Sequence, residues 1–352
     1  MRRMKLRSIH PILLAFAVAI PACGGDETTT ASTSTASSSA AGGGEGGAGG
    51  GAGGAGGVGG GMGGAGGAGG SGGSMADVNP IEGIGPAAEV PKGAQTWQFL
   101  EGPLWLKNEG VLLFSDIPAN RIYKLTPPET IAVFREPSGN SNGLALDEAG
   151  LLIACEHGNR RVTRTLANGM ITVVADTFEG KKLNSPNDAI VRSDGTIYFT
   201  DPPYGIPQGQ QQELAFEGVY RVAKGGQLSV IVMDMDRPNG IALSPDETKL
   251  YVSDSETPGV RVFPVNADGS TGQWEKLIDR TSDGMAVDNA GNLYLTNSAG
   301  VEVFRPTGEK WGEIAVPGQT TNVSFGGADG KTLYVTAAKG LYRVNVNVPG
   351  IP

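Results

Sequence analysis

The chain reads as an all-β protein, a six-bladed β-propeller preceded by a signal/lipobox segment and a disordered Gly-rich tether. Three observations predict this. One phrase recurs six times, each copy holds two short apolar strands around a Gly-, Asp- or Lys-bearing turn, and no copy contains a ten-residue amphipathic helix. The copies begin at FLEGPLWLKNEGVLLFSD (99–116), SNGLALDEAGLLIACE (141–156) and PNDAIVRSDGTIYFTD (186–201). They continue with PNGIALSPDETKLYVSD (238–254), SDGMAVDNAGNLYLTN (282–297) and TNVSFGGADGKTLYVTA (321–337). A third strand often follows, as in GVYRV (218–222), GVRVF (259–263) and GLYRV (340–344). Alternation of apolar and polar residues between turn signals marks half-buried strands.

The corresponding polar residues of the six copies are Glu101, Asn142, Asn187, Asn239, Asp283 and Asn322, spaced 39 to 52 residues apart. That spacing suits one four-stranded propeller blade. The blades fill almost all of residues 90–349, so the chain from about residue 90 onward is expected to fold alone. Ring closure takes one blade built from both chain ends, and the extended segment AQTWQFL (94–100) is the expected source of the missing strand.

Three segments follow from composition: a signal over 1–23, a linker over 24–78 and the propeller over 79–352. Arg2, Arg3, Lys5 and Arg7 open the signal, and Ile12 to Ile20 supply an apolar stretch too short to remain as a membrane span. It closes on Ile20-Pro21-Ala22-Cys23, a lipobox-like ending in which Cys23 carries the lipid and becomes the mature N-terminus. Pro21 departs from the usual lipobox. The linker is rich in Thr, Ser and Ala, then in Gly and Ala, with no side chains to bury, which predicts a flexible tether. The expected location is the cell envelope, with the outer membrane preferred and the membrane engaged through the lipid.

Charge and rare residues narrow the function. The formal charge is -9, and no basic run follows the N-terminus, so nucleic acid is not an expected partner. The two cysteines, Cys23 and Cys155, make no disulfide framework, and Cys155 in an apolar strand reads as packing. His10 falls in the signal, leaving His157 as the propeller's one histidine. A multi-histidine zinc site and a Ser-His-Asp triad have little room.

In a propeller, equivalent residues of successive blades form a ring about the axis. The six polar positions therefore place one Glu, one Asp and four Asn around one point. All carry oxygen donors, which suit hard divalent cations. A single Asn-Gly would mean only a turn; six in phase predict a cation, calcium first, with magnesium, zinc or manganese as alternatives. A second ring follows the second strands: Asp116, His157, Asp201, Asp254 and Asn297. For Asp116 and Asp254 the preferred reading is strand capping. His157 and Asp201 are candidates for a substrate rim, and Arg160 and Arg161 for either substrate or surface contacts.

Several motifs in order carry a resemblance. They are EGPLW (101–105), NSPND (184–188), FTDPPYG (199–205), RPNGIALSPD (237–246), DGMAVD (283–288) and NVSFGG (322–327). Over residues 95–346 the chain resembles the gluconolactonase, regucalcin (senescence marker protein) and diisopropyl fluorophosphatase group of six-bladed propellers. The resemblance implies that Glu101, Asn239 and Asp283 are metal ligands. It gives Asn187 as a ligand in some members and a substrate contact in others. Asn142 and Asn322 are expected to close the ring or touch substrate. Animal regucalcins carry an arginine at the place of Ser185, so sugar contacts inferred from that arginine do not transfer.

The expected function is metal-dependent hydrolysis of a lactone, an aldonolactone such as gluconolactone. The ion would polarise the carbonyl while Asp283 acts as the general base. The rivals are another ester or organophosphate hydrolase on the same site, and a propeller that binds a ligand at the envelope without turnover. The fold alone does not separate these. The oligomeric state has no sequence signal.

The tether reading gives a direct test. The wild-type chain is expected to fractionate with membranes, and Cys23→Ser to release it or stall its processing; a wild-type chain found wholly in soluble fractions would remove the lipid anchor.

Overall fold

The computed structural model describes residues 77–351, and the readings made on residues 1–76 lie outside them. Among the described residues the regular structure is entirely β. Six four-stranded antiparallel sheets form the blades. Blade 1 runs inside to outside as Leu100–Leu106, Val111–Asp116, Arg121–Thr126 and Thr130–Arg135. Blade 2 uses Ser141–Leu146, Leu152–Glu156, Arg161–Thr165 and Ile171–Ala175. Blade 3 follows with Ala189–Val191, Ile197–Asp201, Glu217–Val222 and Leu228–Met235. Blade 4 comprises Pro238–Leu243, Lys249–Asp254, Val260–Pro264 and Glu275–Ile278. Blade 5 is Met285–Val287, Leu293–Thr296, Gly300–Phe304 and Lys310–Ala315.

Blade 6 holds Thr320–Gly326, Thr332–Ala337 and Gly340–Asn345, and its outer strand is Ala88–Glu89 from the other end of the chain. Ala88 pairs with Arg343 and Glu89 with Tyr342. This corrects the expected closure by 94–100. Trp97 is buried against blade 1, edge-on to Phe114 at 5.7 Å, and Leu100 begins the first inner strand. The alternating apolar pattern of AQTWQFL therefore serves packing, while the true closing strand is two exposed residues long. Inner strands touch in cyclic order, the last meeting the first.

The core lies between blades, not within one sheet. Six apolar clusters fill the six interfaces. Between blades 1 and 2, Leu106, Leu113 and Ile122 meet Leu144, Leu152 and Ala154. Between blades 3 and 4, Tyr198 and Val219 meet Ile241, Leu250 and Phe263. At the seam, Trp105 stacks on Tyr334 at 5.6 Å. Period-2 strands supply these side chains because each blade is covered on both faces by its neighbours.

Near the axis a polar belt ties the blades together. Hydroxyls at one repeated place in the second strands donate to main-chain carbonyls at or just before the ring residue of the next blade. Ser115 reaches Asn142 O at 2.8 Å, Thr200 reaches Asn239 O at 2.7 Å, Ser253 reaches Ser282 O at 3.0 Å and Thr296 reaches Thr321 O at 3.0 Å. Thr321 Oγ1 closes the circle on Leu100 O at 2.7 Å. Blade 2 has the buried Cys155 at this place, and there Gly143 N bonds Asn187 O at 2.8 Å instead.

The glycines that follow several ring residues serve close approach. A Cβ on Gly102, whose φ is 50°, would stand 2.0 Å from Asn142 O; one on Gly284 would stand 2.1 Å from Asn322 Oδ1. These contacts explain the Glu-Gly, Asn-Gly and Asp-Gly pairs without any turn.

The closure correction moves the minimal folding unit. A chain begun at Pro91 lacks the outer strand of blade 6 and the buried Ala87 and Val90. It is expected to lose several kcal/mol, at about 1.5–3 kcal/mol for a fully buried aliphatic side chain. Its denaturant midpoint should fall clearly below that of a chain begun at Val78; equal midpoints would show the strand dispensable.

Candidate active site

The ring residues stand where the inner strands begin. In blades 1, 2, 4 and 6 the pairing register shifts at this point, between Glu101 and Leu104, Ser141 and Leu144, Pro238 and Ile241, and Thr320 and Asn322. Such bulges re-aim a side chain out of the sheet's alternation. Asn187 and Asp283 lie just ahead of the inner strands of blades 3 and 5.

Five of the six, Glu101, Asn142, Asn187, Asn239 and Asp283, line one cavity of about 560 Å³ at the mouth of the ring. Asn322 is not in that lining, though its side chain hydrogen-bonds Glu101. It lines the channel behind the ring, where its Oδ1 accepts from Val323 N at 2.8 Å and its Nδ2 approaches Asp188 Oδ2 at 3.4 Å. The channel cavity, about 430 Å³, is walled by apolar side chains of the inner strands, among them Leu144, Ile241 and Val323.

Charge at the mouth is one-sided. Burial raises the Glu101 carboxyl well above its usual range, and the nearby Asp283 adds to this; the Gly102 amide, donating at 2.9 Å, opposes it. Asp283 is pushed up to about 7 by burial, against the help of Asn239 Nδ2, which donates to its Oδ1 at 2.7 Å. Asp188, directly after Asn187, is raised to about 6, chiefly by burial, and adds negative field to both. No Lys or Arg lines the cavity. Asn142 Oδ1 is buried without a partner.

These features fit a cation. The donors are two carboxylates with amides, and no trio of ligating His, Cys, Asp or Glu occurs among the described residues. Two desolvated acids without a counter-charge are costly, and an ion between them removes that cost. The Asn239 amide nitrogen faces Asp283; turning the amide about its last bond would present oxygen to an ion shared with that carboxylate. Glu101, Asn187, Asn239 and Asp283, which share the cavity lining, would supply its oxygen donors.

Residues 99–339 match the family model described as the SMP-30/Gluconolactonase/LRE-like region. The chain belongs to this family. A gluconolactonase of Zymomonas mobilis is 35% identical over 284 residues, covering 72% of this chain and 80% of the relative. A pentonolactonase of Haloferax volcanii is 26% identical over 254 residues, covering 68% and 81%. The solved structure of a Xanthomonas campestris gluconolactonase superposes with a TM-score of 0.68 at 31% identity, covering 75% of this chain and 97% of that one. Relatives of this kind support lactone hydrolysis.

Around the family's ring the second tier divides. His157 lines the mouth, and its Nε2 lies 3.3 Å from Asn142 Nδ2. Burial lowers its pKa to about 4, so the imidazole is neutral at physiological pH. Asp201 does not reach the rim. It is fully buried, accepts from Asn184 N at 2.8 Å, and is pushed up to about 8 by desolvation. The substrate-rim position expected for it belongs to the next loop, where Tyr204 lines the mouth. Asp116 caps Gln98 N and Phe99 N, and Asp254 caps Asp236 N and Thr257 N, in line with the capping reading.

The arginines also turn away from the site. Arg160 is buried with φ 54° and binds the carbonyls of Leu183, Asn184 and Gln211; Arg161 pairs with Glu156 at 2.8 Å. Ser185 Oγ donates to Pro202 O at 2.6 Å and accepts from Gly205 N at 2.8 Å. It pins the Pro-Pro-Tyr-Gly loop so that Gly205 lies on the His157 ring, where an added Cβ would come within 2.1 Å of Cγ. Asp188 escaped the sequence reading. Its signal is a break in pattern: it stands where four other blades have glycine after the ring residue.

The raised acids fix a pH dependence in metal-free protein. Between about pH 4 and 7 folded Asp283 holds a proton that the unfolded chain has released, so its contribution to stability falls as pH rises. His157, lowered from 6.5 to about 4 on folding, acts with the opposite sign over most of this range and cancels in a variant comparison. In chelator, Asp283→Asn is expected to melt higher than wild type near pH 8, with the gap closing toward pH 4. A gap that is constant with pH would show that Asp283 ionises normally.

Proposed function

We propose that the protein is a divalent-metal-dependent lactonase that opens an aldonolactone such as gluconolactone. We read it as an exported enzyme held at the cell envelope by lipid on Cys23. One observation carries the catalytic reading. Glu101 lies buried and Asp283 half-buried beside it, with amides and without a cationic side chain, at the floor of a cavity of small-ligand size, in a family that includes gluconolactonase.

Glu101, Asn187, Asn239 and Asp283 would hold the ion, and calcium is the first choice because all four offer hard oxygen donors. When bound, the ion supplies Lewis-acid polarisation of the lactone carbonyl and offsets the paired carboxylates. Asp283 does the proton work. One of its oxygens would ligate the ion, together with the turned Asn239 amide, which leaves the other to orient a water beside the carbonyl. A bound cation draws the Asp283 pKa back down, so orientation contributes more than basicity.

The water oxygen bonds to the carbonyl carbon as its proton moves to Asp283. The ring C–O bond then breaks, and the proton returns to the departing ring oxygen, giving a hydroxy acid. Asn142, with an unpartnered Oδ1, is free to accept a substrate hydroxyl. Neutral His157 lies beside it without adding charge.

Lactone turnover and calorimetric calcium titration on the same variants test this. Chelator is expected to abolish hydrolysis and calcium to restore it. Asp283→Asn should cut turnover by about 100-fold or more, with a smaller loss of calcium affinity, while Glu101→Gln should weaken calcium binding steeply. Near-normal turnover in Asp283→Asn removes the base assignment. If calcium-loaded wild type hydrolyses no lactone, ester or phosphoester, the protein is a binding propeller.

A further inference from the structure

The mouth cavity continues beyond the donor ring. A second cavity of about 460 Å³ opens beside it, and the two share Phe99, Ile117, His157 and Tyr204. Pro118 and Pro207 extend the second wall, so this lobe is faced mainly by carbon. Its one amide side chain, Asn140, is already committed, with Nδ2 donating to Ile117 O at 2.7 Å. The rest of the mouth's lining is different in kind, with the hydroxyls and amides of Ser255, Thr281, Asn297, Gln319 and Thr320 among it.

The apolar lobe is held in shape. Ser185 fixes the loop that carries Tyr204 and Pro207. Tyr204 is 48% exposed, yet its hydroxyl is tied to Ser255 Oγ at 2.6 Å and Arg237 lies 5.6 Å from its ring centre. Arg237 is itself paired with Glu217, and no Lys or Arg lines either lobe. The ring lobe alone is already of ligand-pocket size, about 300–1,000 Å³. A bare lactone leaves the second lobe wet, against walls that gain by losing water.

We propose that the Phe99–Ile117–Tyr204 lobe takes an uncharged alkyl or aryl substituent of the lactone whose ring sits on the donor residues. This rests on the lactonase reading. The substrate class accordingly extends to neutral lactones carrying an apolar arm, and excludes lactones with an anionic arm. The lobe meets such an arm with carbon walls, and no Lys or Arg in either lobe receives its charge.

The test is a chain-length series with the calcium-loaded full-length protein: δ-valerolactone, δ-hexalactone, δ-octalactone and δ-decalactone. kcat/KM is expected to climb by up to about fourfold per added methylene, the factor that burial of one CH₂ supplies. Ile117→Asn should flatten the climb; the slope is a ratio within one protein, so a general loss of folded enzyme cancels. If that variant fails to fold, the wild-type slope decides alone. A 6-phosphorylated gluconolactone should react at least about tenfold more slowly than gluconolactone, on the scale of one unpaired charge in the pocket. A flat series with good turnover of δ-valerolactone, or equal rates for the phosphorylated lactone, overturns the lobe and leaves the lactonase intact. No turnover of any lactone overturns both.

Discussion

The axis depends on the bonds by which each blade grips the inner strand of its neighbour. A β-hydroxyl on the second strand and a carbonyl at the head of the next inner strand are a modest pair, about 0.5–1.5 kcal/mol net. Their value lies in placement. Ser115, Thr200, Ser253, Thr296 and Thr321 set where successive inner strands start, and each start fixes a ring side chain. The apolar clusters farther out supply most of the stabilisation, but they tolerate small shifts that the ring would not. Blades 2 and 6 depart from this pattern: Gly143 N takes over the join where Cys155 stands, and in blade 6 the inner-strand Thr321 reaches across while Thr336 bonds within its own blade.

Stiffness of this kind lets the molecule keep groups that would otherwise relax. Glu101 and Asp188 are buried with Asp283 half-buried beside them, a crowding that a softer site would avoid by letting water in or by swinging a side chain away. Here a bulge aims Glu101 inward, and the fit of Gly102 against Asn142 O leaves no slack. The unfavourable crowding is what gives the site its appetite for positive charge. Stability has been moved to the blade interfaces so that it can be withheld at the axis.

Much of this was legible in the sequence because repeats turn a one-dimensional pattern into a position in space. Six phrases in phase gave the blades, and the shared polar place gave the ring. What failed was whatever the repeat does not encode. Ala88–Glu89 is too short and too exposed to carry a strand pattern, whereas the well-patterned 94–100 uses Trp97 as a wedge. Asn322 occupies the right place in its repeat but lacks the following glycine, and it faces the channel. Asp201 and Arg160 sit in the rim region by sequence, yet loop folding buries both under Asn184. Periodicity says which strand a residue heads; it is silent on how a loop then covers it.

The glycines behind the ring carry a consequence for how such a site can change. In blades 1, 2, 4 and 5 the position after the ring residue is pressed against its neighbour, so any side chain there would push two blades apart. Blades 3 and 6 are open at that position, and they hold Asp188 and Val323. Variation in the net charge around the axis is therefore channelled through two of six places. One already carries an acid. The other holds Val323, which is buried in the apolar cluster between blades 5 and 6, so a charge placed there would destabilise the core.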